Sequence, residues 1–324
     1  MSHSPPFVEE EQATMTETTP SPQPTMSLIG AGSADPAARR IFSSWAPILN
    51  LGEAQLVAVD LPPDAPDETY RDLVTRLKEE AHAQGALVAA HGRELLHAAG
   101  RLFDDLTSEA GLCDRISCLY KYEGHLLGHA IEPEVSAQVM ARLLGHGYWR
   151  RHRADLLCLG AGSAAIALLI HFATRAMIDD RPRQLLLVDR DLARLQHVER
   201  MLRRLSTAEM AVQLIHNTDA AANDRLLADL PARSLVVNAT DAGRSPLGGG
   251  APFPQHGVVW DLNYDGDLEF LQHARSQIAE RDLQLADGWD YFLTRWATAL
   301  GYIFSLTIDD AAYDRLAAAA RPLR

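Results

Sequence analysis

"LCLGAGSAAIALLIHF", residues 157–172, decides the fold. A short apolar run, a pair of closely spaced glycines and a second apolar stretch form the pattern of a β-strand that turns sharply into a helix. Within it, Gly160-Ala161-Gly162-Ser163-Ala164-Ala165 meets every requirement of a dinucleotide-binding turn. The glycines let backbone N–H groups approach a diphosphate, and the small residue at the end lets the helix sit close to the strand. The letters GAGSA also stand in "SLIGAGSADPAARRIF" at 27–42. There the closing small position is Asp35, whose charge would repel a diphosphate. Pro36 reads as the first helical residue, with Asp35 as its N-cap. The second copy is therefore the predicted nucleotide site, and the first is not.

Outward from that turn the chain alternates strand and helix. A strand over 155–159 and a helix over 163–178 are followed by a strand over 184–189, closing on Asp189. An acid at the end of this strand usually hydrogen-bonds the adenosine ribose and disfavours a 2′-phosphate, so the expected cofactor is NAD. Arg190 beside it keeps NADP open, and the plainer role for Asp189 is an N-cap on the next helix. A helix over 191–205, a strand over 211–216, a helix over 220–229, a strand over 234–238 and the strand "GVVWDLNY" complete the unit. Upstream, strands "MSLIG", "AQLVAVD" and "GALVAA" alternate with helices over 36–50 and 67–83. A helix near 93–104, a hairpin turning at Glu123-Gly124 and a helix over 133–146 follow. The end is helical: Leu268, Leu271, Ala274 and Ile278 form one stripe, and 287–305 and 309–319 also read as helices. The fold class is α/β, two units in series.

Composition limits the function. The chain has 324 residues, 47% of them apolar, with a net charge of −13. That balance gives no electrostatic footprint for nucleic acid or an anionic membrane. Residues 1–25 are rich in proline and acid, read as disordered, and lack the basic and apolar regions of a signal peptide. Cys113, Cys118 and Cys158 have no CxxC spacing and suit a reducing compartment, so the cytoplasm is the expected location. The expected partner is a small-molecule substrate, and homodimer formation is left open.

Several further stretches together resemble the shikimate/quinate dehydrogenase family. "GALVAAHGRELL" at 85–96 is similar to its strand-to-helix segment with a His-Lys pair, and "LLGHAIEP" at 126–133 to its Gly-His-Asn-Thr-Asp hairpin end. "VVNATDAGR" at 236–244 resembles its Asn-Ala-Thr loop beside the nicotinamide, here Asn238, Ala239 and Thr240. "VVWDLNYDGDLEFL" at 258–271 and "LADGWDYFL" at 285–293 match its closing strand and last helices. The resemblance implies a substrate domain over 26–135 and a Rossmann domain over 136–265, with a cleft between them. It further implies that helices over 266–324 pack back on the first domain.

The departures lie on the substrate side. The family's two carboxylate-binding serines correspond to a neighbourhood with Ser33 and Asp35, and its Asn-Val-Thr to Leu87-Val88-Ala89. Its catalytic lysine, after His91, is Gly92; its partner aspartate is Glu132; the asparagine of its Gly-Ala-Val-Asn segment falls near Ser117. Glycine can neither give nor take the hydroxyl proton. Two lost hydroxyl donors and the anion of Asp35 remove a seat for a substrate carboxylate. Shikimate is therefore not the expected substrate. His91 and Glu132 are the candidate acid–base pair, with Glu132 orienting the imidazole; the plainer reading is a relic histidine and a structural carboxylate. Tyr264 and Tyr291 either line the cleft or are buried with bonded hydroxyls. His125 and His129 share a strand face near Glu132, but without a further placed donor no metal is expected.

The expectation is an NAD(P)-dependent oxidoreductase acting on a ketone or imine, or an alcohol or amine, of altered structure, with secondary metabolism as a conjectured setting. The alternative is a non-redox descendant using the cleft for proton transfer, or a protein that senses a dinucleotide.

Overall fold

The computed structural model describes residues 23–30, 36–205, 210–240 and 245–324. The proline-rich start up to residue 22 and the stretch with Ser33 and Asp35 lie outside them. The first unit runs β1 (Thr25–Ile29), α1 (Pro36–Ile48), β2 (Gln55–Val59), α2 (Asp67–Glu79), β3 (Ala83–Val88) and α3 (Gly92–Ala99). It continues with β4 (Asp105–Leu106), α4 (Ser108–Cys113), β5 (Cys118–Tyr122), β6 (His125–His129) and α5 (Glu132–Leu144). Its sheet has the order β2-β1-β3-β5-β6-β4. Helical crossovers make β2, β1 and β3 parallel, while β5 and β6 form an antiparallel hairpin. Glu123 (φ 51°) and Gly124 (φ 82°) supply the two left-handed residues that its tight turn needs.

The second unit begins with α6 (Tyr148–His152) and proceeds through β7 (Leu156–Leu159), α7 (Ser163–Ile170), β8 (Gln184–Asp189), α8 (Leu192–Leu202) and β9 (Ala211–His216). Then come α9 (Ala220–Ala228), β10 (Leu235–Asn238), β11 (Val258–Asp261), α10 (Glu269–Arg275), α11 (Ile278–Arg281) and β12 (Gln284–Ala286). All its strands are parallel, in the order β12-β11-β10-β7-β8-β9. Helices cover both faces, so β7, β10 and β11 are buried along their whole length. Strand order reverses between β7 and β10, and ligands in open parallel sheets bind at that switch point, outside the carboxyl ends of the strands.

Three expectations need correction. The helix predicted over 163–178 ends at Ile170 and loosens into a π-turn over His171–Arg175. The stripe from Leu268 to Ile278 is not one helix: it breaks after Arg275, leaving Leu271 and Ala274 buried but Ile278 41% exposed. The chain from Glu269 to Ala286 also stays with the second sheet, because β12 pairs with β11 and α10 packs on both. From Trp289 onward the chain, α12 (Trp289–Ile303), α13 (Asp310–Ala320) and the closing turn Arg321–Leu323, returns to the first unit. There α12 lies on α5, β3 and β5, and α13 on α1, where Trp45 Nε1 donates to Leu316 O at 2.9 Å.

Among the described residues no helix is long and apolar enough to cross a membrane, and no group of three His, Cys, Asp or Glu side chains is placed to hold a metal. All three cysteines are buried and unbridged.

Candidate functional site

The glycine turn sits at the carboxyl end of β7. Gly160 has φ +106°, and a Cβ there would come within 2.6 Å of Ala239 O. This position therefore needs glycine for both conformation and space. Gly162 differs: it is the N-cap of α7 with φ −79°, and beyond its chain neighbours a Cβ would meet none of the described residues within 4 Å. Space in the fold does not demand its bareness, which leaves the first-turn amides of α7 open to approach. Ser163 is exposed at the first helical position, Ala164 is partly exposed, and Ala165 is 1% exposed where α7 lies against the sheet.

Asp189 does more than end β8. Its Oδ2 accepts from Ala161 N at 2.6 Å and its Oδ1 from Asp191 N at 2.8 Å, so the carboxylate ties the glycine turn to the next strand. The N-cap of α8 is Asp191, which accepts from Ala193 N and Arg194 N; the capping role considered for Asp189 is thus corrected. Arg194 Nη1 stands 4.0 Å from Asp189 Oδ2 and its side chain is half exposed. These residues, with Gly160, Arg190, Asn217, Asn223 and Thr240, line a cleft of about 570 Å³.

The Asn238-Ala239-Thr240 stretch forms the opposite wall. Ala239 N donates to Leu159 O at 2.7 Å, which seats this loop against Gly160. The Asn238 side chain is turned inward: Nδ2 donates to Asp261 Oδ1 at 3.0 Å, and Oδ1 accepts from Thr240 Oγ1 at 2.6 Å. Asn263 Nδ2 also donates to Asp261 Oδ1, at 2.9 Å. Burial pushes the Asp261 carboxyl above the usual range, against the lowering effect of these donors. Asn238 is therefore an anchor for the loop, and Asp261 a buried hub that the sequence reading missed.

Across the gap lie the carboxyl ends of β1 and β3. Glu132, 6% exposed at the start of α5, accepts from Ser117 Oγ at 2.6 Å; Ser117 is fully buried and itself accepts from Ile131 N at 2.9 Å. Arg295 of α12 brings Nε to 3.6 Å from Glu132 Oε1 and donates from Nη2 to Val88 O. His91 takes a left-handed backbone (φ 64°), and its Nδ1 is hydrogen-bonded to Tyr70 OH at 3.0 Å, a residue of α2 in the core. Glu132 holding His91 is thus not the arrangement found: each has its own partner. Leu87, proposed to face substrate, is 1% exposed in the main core and is corrected to a packing residue. Tyr264 packs edge-on against Trp289 (5.3 Å) and tilted on Phe292 (5.0 Å), partly exposed. The Tyr291 hydroxyl is buried, and burial followed by the charge of Glu132 holds its pKa well above the usual value.

Gly92 has no room for a side chain, since a Cβ would lie 2.3 Å from Ile116 O. The whole protein has two lysines, Lys78 and Lys121. Lys78 is bound to Asp104 at 2.7 Å, and Lys121 donates to Glu80 O at 2.6 Å at the amino end of β3, opposite the cleft. No lysine ammonium is therefore placed for chemistry in the cleft. This inventory was readable from composition. Arg295 was signalled too, one helical turn from Tyr291, whereas the Tyr70–His91 contact depends on tertiary packing.

Two α/β units with facing carboxyl edges and a dinucleotide-type glycine turn define the class: a two-domain protein built on a Rossmann sheet. More particularly, the fold is that of the shikimate dehydrogenases. A shikimate dehydrogenase in complex with NADP+ superposes with a TM-score of 0.70 at 14% identity, over 93% of this chain and 95% of that one. The shikimate 5-dehydrogenase of Thermus thermophilus, in complex with NADP(H) and shikimate, gives 0.67 at 18% identity, over 93% and 100%. The 5-ketofructose reductase of a Gluconobacter strain, in ligand-free form, gives 0.68 at 15% identity, over 94% and 99%. No protein-family model and no curated protein matches the chain.

Proposed function

We propose that the protein binds a nicotinamide dinucleotide across the carboxyl edge of its second sheet and acts as an oxidoreductase on a small substrate other than shikimate. The observation that carries this reading is the glycine turn. Gly160 is required by the fold, whereas no steric contact demands glycine at Gly162, where a bare residue leaves the amides of α7 open to a diphosphate. Structures of the same fold with NADP+ or NADP(H) support it, as does the reductase among them, which acts on a different carbonyl compound. NAD is the favoured cofactor, with NADP as the alternative.

Nicotinamide, when bound, would supply or accept the hydride beside the Asn238–Thr240 loop. The chain's part is to hold the loop through Asp261, to position the substrate between the two edges and to move one proton. Without a lysine, the proton carriers available are the Glu132 carboxylate with Ser117, or the His91 imidazole with Tyr70. Arg295 is a cation at the same wall, suited to a substrate oxygen bearing negative charge. Ser33 and Asp35 retain their proposed substrate roles, on residues outside those described. A second reading, a non-redox descendant or dinucleotide sensor, is favoured by the absence of a cleft lysine. Isothermal titration with NADH, followed by a dehydrogenase screen over ketones, imines, alcohols and amines, separates the two: binding with turnover supports the first, binding without turnover the second.

The carboxylate of Asp189 at the ribose end of the cleft sets the cofactor preference. NAD(H) is expected to bind more tightly than NADP(H) by about 1–3 kcal/mol, because a 2′-phosphate would approach that charge. Side-by-side affinities check this. A reversed order would mean that Arg190 and Arg194 govern the pocket instead.

A further inference from the structure

We propose that Arg115, contributed by the first domain, completes the diphosphate site of the second domain and so couples dinucleotide binding to the juxtaposition of the two. This inference rests on the dinucleotide reading above and adds a residue from outside the nucleotide-binding unit.

The observation is one of sign. Arg115 follows α4 and reaches across the domain boundary, where its Nη1 donates to Ser163 Oγ in the glycine turn. Ser163 is the first residue of α7, and a helix N-terminus carries partial positive charge. A guanidinium there faces the positive end of the helix it touches, and an anion bound beside both would relieve that repulsion. The acids on the same segment are engaged elsewhere: Asp114 with Arg93 at 3.0 Å and His97 at 2.7 Å, and Glu109 with Arg175 at 2.6 Å. Arg115 Nε is buried beside Gly92 without a hydrogen-bond partner among the described residues, and it is Nη1 that reaches the glycine turn. The position is fixed by packing as well. Arg115 N donates to Ala110 O at 3.1 Å, and the Glu109–Arg175 pair ties α4 to the far end of α7.

The chemistry this serves is bidentate recognition of phosphate oxygens, for which the planar guanidinium is suited and which a hydroxyl such as Ser163 cannot provide. An anion bound at the amides of α7 and beside Arg115 would satisfy both domains at once. Its removal would leave two positive groups facing each other.

The test is calorimetric titration of the wild type, Arg115→Gln and Arg115→Lys with NADH, with adenosine binding followed by NMR as the phosphate-free control. Arg115→Gln is expected to weaken NADH about 10- to 100-fold, the range for a charge-assisted contact, while adenosine binds both proteins alike. Arg115→Lys, which keeps the charge but loses the fork, is expected to weaken NADH about 3- to 10-fold, and it decides the matter should the glutamine variant fail to fold. Unchanged NADH affinity in a folded variant would overturn the proposal and leave the dinucleotide reading standing. Equal losses for NADH and adenosine would also overturn it, because Arg115 would then act only through domain docking. A wild type that binds no dinucleotide would remove both.

Discussion

Gly162→Val is expected to lower affinity for NAD(H) by at least about 100-fold while leaving the fold intact, at a stability cost of about 1 kcal/mol for a β-branched N-cap. The first half follows from the turn: a branched side chain would stand over the amides at the start of α7, where a diphosphate must come within hydrogen-bond distance. The second half follows from the surroundings. Gly162 has an ordinary φ of −79°, and beyond its chain neighbours none of the described residues lies within 4 Å of a Cβ built on it. Gly160→Val is the informative contrast, because its φ of +106° and the 2.6 Å approach to Ala239 O predict a loss of stability that would obscure any binding result. Titration of folded Gly162→Val with NADH, beside circular dichroism melting, checks both halves. Undiminished affinity would place the dinucleotide elsewhere or remove it.

The other large effect concerns shikimate. The wild type is expected to show no enzyme-like oxidation of shikimate or quinate, and Gly92→Lys is expected to damage the protein rather than restore the reaction. General acid–base help contributes about 10²–10⁴ in rate, and neither lysine of the chain is placed to give it. A lysine cannot simply be installed at Gly92: its Cβ would lie 2.3 Å from Ile116 O, a backbone atom that cannot swing aside. Overpacking of this kind costs about 1–3 kcal/mol or more. The lysine position taken from the family resemblance therefore has no usable counterpart at Gly92, and the nearest cation in sequence, Arg93, is paired with Asp114 on the surface. Measuring reduced-cofactor formation with both acids, and urea unfolding of Gly92→Lys, tests the pair of claims. Robust wild-type turnover would contradict the claim of a rebuilt pocket, and a stable, active Gly92→Lys would contradict the steric argument.

The second unit was legible because its signals are local. The apolar runs at β7, β8 and β9, each bounded by a turn or a cap, require only short-range pattern reading, and the 184–189 and 211–216 strands stand where the sequence placed them. The hairpin at Glu123-Gly124 was legible for the same reason. Short elements were not. The two-residue β4 and the six-residue α4 carry too little periodicity to register, and β12 lay hidden in a stretch whose helical stripe continued through Ile278. The site divides along the same line. Glycine positions announce their conformational role in the sequence, whereas hydrogen-bond partners are decided by tertiary packing. Thus Asp189 binding the turn, Ser117 serving Glu132, and His91 turned to Tyr70 had no sequence signature.

The central claim is that the glycine turn of the second domain holds a nicotinamide dinucleotide, and calorimetric titration of the full-length wild type with NADH and NADPH tests it most directly. The account predicts saturable binding of one dinucleotide per chain in the micromolar range, tighter for NADH. No detectable binding of either up to millimolar concentration would contradict it.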